Sequence, residues 1–259
     1  MCILFIAIEQ HPKYPLIICA NRDEFHQRPT EAMHVWQQPI ILAGKDLQAG
    51  GTWLGLSPKG KFAALTNFRK LPLSEEAKKS RGDLVLQVLA STENNLSDEL
   101  SKQTNQYHGF NLIHGSLNQL YCYDSVNNQC HQLSKGVHSI CNGALDDIWP
   151  KMARGEKLLS DTIHLQEDLS IDRLFDLMTN DKQALPNLLP ETGLSEEWEQ
   201  LLSAIFIVSP TYGTRSTTII TKNIEGNVEV YDRTYAPSGE FVAEQKFTLA
   251  TVFDSVVLV

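Results

Sequence analysis

The sequence predicts an α+β fold built on largely antiparallel sheets, and three observations lead there. Helical patterns are clustered instead of alternating with each strand, so the order reads strands, helix, strands, helices, strands. Short strand-like runs are separated by Pro/Gly/Asn turns at hairpin and meander spacing. No G-x-G-x-x-G follows a strand and there is no P-loop, which sets aside a doubly wound nucleotide fold.

Taken in order, residues 2–9 and 15–20 read as two strands joined by a turn at His11-Pro12-Lys13-Tyr14-Pro15. Ile3, Phe5 and Ala7 alternate with further apolar residues, so both faces of the first strand are expected to be covered. The second strand is expected to stop at Ala20, where Asn21-Arg22-Asp23-Glu24 begins. A loop containing Arg28-Pro29-Thr30 leads to a hairpin over residues 49–66, with its turn at Pro58-Lys59-Gly60-Lys61 and its end at Asn67. Residues 71–81 read as loop, and 84–89 as a helix with Asp83 as its N-cap. The helical layer continues over 98–107. Strands follow at 110–114, 119–123, 130–133 and 137–141, the last ending in Asn142-Gly143. Residues 149–204 are mostly helical, broken by Pro186 and Pro190. Strands around 205–208, 216–222, 228–233 and 246–250 close the chain.

At 259 residues the chain can bury one large core. No repeat or linker interrupts it, and one domain over 1–259 is expected. A net charge of −9 argues against general nucleic-acid binding, which needs basic surface, but leaves room for a local Arg/Lys pocket. The apolar start is cut by Glu9 and has no basic segment ahead of it, and no run reaches the roughly 18–20 apolar residues of a membrane span. Five cysteines, an odd number without a CxxC pair, fit a reduced compartment and point neither to a zinc site nor to a disulfide framework. A cytoplasmic protein is expected.

The chemistry starts at Met1-Cys2. Trimming of Met1 would leave Cys2 with both a thiol nucleophile and a free α-amine, a base with a pKa of about 7.7–8. An antiparallel hairpin of the first two strands brings Arg22 and Asp23 close to Cys2, because strand two ends where strand one begins. Asn67, Asn142 and Arg215 also fall at predicted strand ends. Together these residues match the needs of an amide-cleaving cysteine: a cation to lower the thiol pKa, a carboxylate to hold the ammonium, and side-chain amides for an oxyanion.

These residues carry a resemblance. Met1-Cys2, Asn21-Arg22-Asp23-Glu24, Gly50-Gly51-Thr52-Trp53-Leu54-Gly55, Thr66-Asn67 and Ser80-Arg81-Gly82 resemble the NRDE family, that of transport and Golgi organisation protein 2. Leu145-Asp146, Trp149-Pro150-Lys151 and Tyr212-Gly213-Thr214-Arg215 extend the likeness over residues 1 to about 235. That family in turn resembles the N-terminal-nucleophile (Ntn) hydrolases of the choloylglycine hydrolase and penicillin V acylase type. The resemblance implies a four-layer αββα sandwich with Cys2 as nucleophile and Arg22 and Asp23 beside it. Asn67 and Asn142 would be the oxyanion amides, and Arg215 a late active-site arginine.

Two functions follow as expectations. One is a cysteine amidohydrolase or acyltransferase acting on a small amide or acyl substrate, requiring no cofactor or metal. The other is a non-catalytic carrier of haem or an acyl-CoA-type anionic ligand on the same fold. A haem carrier needs an axial ligand, for which His26, His34, His108, His114, His131 and His138 are the candidates, none within a haem-specific motif.

Overall fold

The structure, a computed structural model, describes residues 2–69, 79–91, 96–164 and 168–254. Two antiparallel sheets dominate it. The first contains β1 (Cys2–Ile8), β2 (Leu16–Phe25), β10 (Gly136–Ile140), β11 (Tyr212–Lys222), β12 (Val228–Tyr235) and β13 (Phe241–Thr248), in the order β10-β1-β2-β11-β12-β13. The second runs in sequence order through β3 (Thr30–Gln37), β4 (Ile40–Asp46), β5 (Leu54–Leu56), β6 (Lys61–Asn67), β7 (Phe110–Ser116), β8 (Gln119–Asp124) and β9 (Gln129–Gln132).

The period-two pattern of β1 accounts for the layering. Leu4 and Ile6 point between the sheets, into a core with Leu42, Leu56, Phe62 and Ile113. Ile3, Phe5 and Ala7 point the other way, onto Met152 and Leu159 of α3 (Pro150–His164) and Leu174 and Phe175 of α4 (Ile171–Met178). On the far side, α1 (Gly82–Ala90) buries Leu84, Val85, Val88 and Leu89 against Ala63, Leu65, Phe110 and Leu112. Residue Leu100 of α2 (Leu96–Gln103) joins that cluster. Helices, sheet, sheet, helices is the αββα sandwich that the resemblance implies.

Several boundaries differ from expectation. Strand β2 does not stop at Ala20 but runs through the polar tetrapeptide to Phe25, because β1 and β11 supply ladder partners on both sides. The stretch read as loop around Arg28-Pro29-Thr30 opens the β3–β4 hairpin; a register shift between Glu31 and His34 breaks the alternation that would have marked it. Helix α1 is capped by the backbone at Arg81 with no side-chain hydrogen bond, and Asp83 lies in its first turn. Residues 205–208 are not a strand; they turn, and the Ile205 carbonyl accepts from Asn21 Nδ2 at 2.9 Å. The helical region ends earlier than expected, with α4 followed by irregular chain and the short α5 (Glu196–Leu201). The chain then closes on α6 (Leu249–Val252). Most of the loop expected over 71–81 lies outside the described residues.

Candidate active site

One end of the layer between the sheets is polar, and Cys2 stands there. Cys2 and Arg22 are register partners across β1 and β2, so both side chains share the inter-sheet face. They line a cavity of about 280 Å³ together with Asp23, Trp53, Asn67 and Arg81. Glu24, Arg28, Asp46 and His108 complete much of its polar wall.

Arg22 is held on three sides. Its Nη1 donates to Thr30 Oγ1 at 3.0 Å, its Nη2 lies 3.4 Å from Asp46 Oδ2, and its guanidinium carbon stacks 4.5 Å from the centroid of Trp53. Asp46 also takes Arg28 Nε at 2.6 Å. Burial works to raise the Asp46 pKa, but hydrogen bonds from Arg28 and the Ala49 N–H, with the charges of Arg28 and Arg22, hold it below its ordinary value.

Asp23 is buried and accepts from Thr214 Oγ1 at 2.7 Å. Burial pushes its carboxyl pKa up, against the pull of Lys151, the Thr214 hydroxyl and Arg22. The Cys2 thiol is pushed up to about 11, chiefly by burial, with Asp23 and Glu24 adding to the shift and Arg22 opposing it. Of the two activating influences expected from the sequence, the cation and the α-amine base, the cation is outweighed here by desolvation. Burial thus favours the thiol over the thiolate, and a base close to the sulfur would assist attack by taking its proton.

The remaining sequence candidates divide. Asn67, at the end of β6, lines the Cys2 cavity. Asn142 is fully buried behind it: its Nδ2 donates to the Asn67 carbonyl at 2.8 Å, and its Oδ1 accepts from Arg69 Nη2 at 3.3 Å. It braces the end of β6 and does not line the cavity. Arg215 sits on the far side of Trp53, where its Nη1 donates to the carbonyls of Phe25, His26 and Arg28. Among the six candidate histidines, His108 lines the cavity. His26 bonds Ser209 O, His138 pairs with Asp146 at 2.9 Å, and His114 is buried beside Cys130.

Arg81 and Trp53 line the cavity too, although sequence reasoning assigned them no role. Arg81 donates Nη1 to the Gly109 carbonyl at 3.1 Å, and burial depresses its pKa. The signal lay in the motifs that contain them, Gly50-Gly51-Thr52-Trp53 and Ser80-Arg81-Gly82. Their glycines have a packing reason: a Cβ on Gly51 would stand 2.8 Å from the Gly82 carbonyl carbon, so the two backbones cross where only glycine fits. That crossing brings Arg81 at the start of α1 and Trp53 onto one cavity.

Comparison with known proteins bears on the fold and the family. Two structures of conjugated bile acid hydrolase variants from Clostridium perfringens are similar, each with a TM-score of 0.51 at 10% identity and covering 96% of this chain. The alignments span 94% and 92% of those chains, and the likeness concerns the fold. Transport and Golgi organization protein 2 homologs of Bos taurus and Homo sapiens are each 34% identical over 256 residues, covering 90% of this chain and 92% of theirs. The Drosophila melanogaster protein is 24% identical over 272 residues, covering 93% and 95%. Residues 1–237 match the model of the family described as Transport and Golgi organisation 2. With Cys2 paired to the arginine of the Asn-Arg-Asp-Glu strand on an αββα frame, the chain belongs to the Transport and Golgi organisation 2 family.

Proposed function

We propose that the protein is a cysteine amidohydrolase or acyltransferase acting on a small amide or acyl substrate, with Cys2 as its N-terminal nucleophile after removal of Met1. The observation that carries this reading is the pairing of Cys2 with Arg22 at the polar end of the sandwich, on a cavity that Asp23 and Asn67 also line. The bile acid hydrolase likeness contributes the frame, not the substrate.

The chemistry follows from the environment. Cys2 Sγ attacks the acyl carbon as the thiol proton passes to the α-amine of Cys2, which suits a thiol that burial keeps protonated. The Asn67 side-chain amide donates to the oxyanion, a contribution of about 3–4 kcal/mol where such donors are removed from hydrolases. Collapse breaks the C–N bond, and the ammonium returns its proton to the departing nitrogen. Water, or an acceptor amine in transfer, then cleaves the thioester. Asp23 orients the ammonium, and Arg22, fixed by Asp46 and Trp53, positions the strand end opposite Cys2.

Cys2→Ala should abolish release of p-nitroaniline from a panel of acyl p-nitroanilides, and Asn67→Ala should lower kcat about 10²–10³-fold with little change in KM. The non-catalytic alternative, a carrier of haem or an acyl thioester, predicts saturable binding, seen for haem as a Soret shift, with no turnover by the unaltered protein. Turnover that survives in Cys2→Ala sinks the proposal.

A further inference from the structure

A second cavity, of about 250 Å³, opens between the sheets on the other side of Trp53, lined by Trp53, Thr30, Arg215, Ser216, Asp232 and Tyr235 among others. Trp53 belongs to both cavities, and Arg22 of the first is hydrogen-bonded to Thr30 of the second. Trp53, on which Arg22 stacks, thus borders both chambers.

Two buried polar atoms of adjacent residues in this wall, Arg215 Nε and Ser216 Oγ, have no hydrogen-bond partner. Ser216 is 6% exposed. The fold supplies a reason for their being together. A register shift in β11 between Thr214 and Ser216 inserts Arg215 as an extra residue, and such a bulge re-aims a side chain out of the normal alternation. Ser216 already lies on the inter-sheet side, since Thr218, two residues on, bonds Asp232 and Ile220 joins the inter-sheet core. The bulge adds Arg215 to the same cavity.

The unmet groups are donors, one of them on a cation. The three acceptors that Arg215 does contact are neutral backbone carbonyls, and the charge of Glu24 acts on it without a hydrogen bond to its Nε. Of the acids lining the cavity, Asp232 is engaged by the Thr218 hydroxyl at 2.7 Å and Glu31 lies 3.7 Å from His34. A buried guanidinium N–H and a buried hydroxyl, both left without a hydrogen-bond partner, match the oxygens of a carboxylate. We propose that this second chamber is a binding subsite for a ligand carboxylate, received by Arg215 Nε and Ser216 Oγ.

Trp53 is the natural reporter, because it borders the chamber. In full-length protein labelled with 5-fluorotryptophan, with the Trp53 line assigned by Trp53→Phe, sodium butyrate should shift that 19F resonance saturably. Neutral butyramide at matched ionic strength should not. Ser216→Ala should weaken butyrate binding about tenfold, the worth of one hydrogen bond to a charged group, and Arg215→Gln should abolish it. If Arg215→Gln fails to fold, having lost its clamp on residues 25–28, Ser216→Ala carries the test. An equal response to butyramide, no saturable shift, or undiminished affinity in Ser216→Ala overturns the proposal. The inference does not depend on catalysis at Cys2: a protein without amide turnover that still shows the Ser216-dependent butyrate shift keeps the subsite and loses only the proposed reaction.

Discussion

Asp232 shows what the polar end of the sandwich costs at the scale of one residue. Burial pushes its carboxyl up to about 6, against the Thr218 hydroxyl and the Met33 N–H. Since the folded pKa exceeds the ordinary value of 3.8, the folded state holds this proton more tightly than the unfolded chain. The resulting stability is fully present below about pH 4 and is lost as pH rises through about 6, roughly 3 kcal/mol for a shift of about two units. Asp232→Asn, which mimics the protonated form, should flatten urea-unfolding stability across that window. A stability profile unchanged between pH 4 and 7 would contradict the assignment. Cys2, Arg22 and Asp23 were legible as neighbours in the sequence because antiparallel pairing fixes them without side-chain detail. Asn142 and Arg215 were legible only as strand-end residues. Their directions depend on a hydrogen bond to the Asn67 carbonyl and on a bulge in β11, neither of which has a one-dimensional signature.

Among the elements, β1 and α3 approach closely at a glycine. A Cβ on Gly155 of α3 would run into the ring of Phe5 on β1, so this helical glycine trades propensity for closeness to the sheet. Gly155→Ala should lower stability by about 1–3 kcal/mol through overpacking, despite alanine's better helix propensity, with the loss read as a lower Tm. A gain in Tm would show that the helix can step away at no cost. The element order was readable from clustering and turn residues, and the helix–strand alternation it excluded is absent from the described residues. The β3–β4 hairpin escaped because its first strand is half exposed, polar and bulged. The extension of β2 escaped because four polar residues read as a strand end, whereas ladder partners on both sides and buried acceptors for Asn21 keep them in the sheet.

For the molecule as a whole, the layers are tied together near the site by a buried ion pair. Arg69, just past β6 of one sheet, meets Glu199 of α5 at 2.6 Å, with both side chains under a tenth exposed. Arg69 also holds Asn142, and the Thr192 hydroxyl donates to Glu199. Glu199→Gln removes the carboxylate that meets the buried Arg69 guanidinium at 2.6 Å and should cost about 3–5 kcal/mol in denaturant unfolding. A loss below about 1 kcal/mol would mean that the pair is replaceable by water. Beyond this brace, no helix among the described residues is long and apolar enough to cross a membrane. The central claim is that the sandwich exists to present Cys2 with its own amine as base. Intact-mass spectrometry, after brief exposure to an acyl p-nitroanilide that the protein turns over, tests it most directly. The account predicts a chain that begins at Cys2, carrying one acyl adduct that maps to Cys2 and is absent in Cys2→Ala. An active, acylated chain that retains Met1 would contradict it, because the amine would then be bound in a peptide bond.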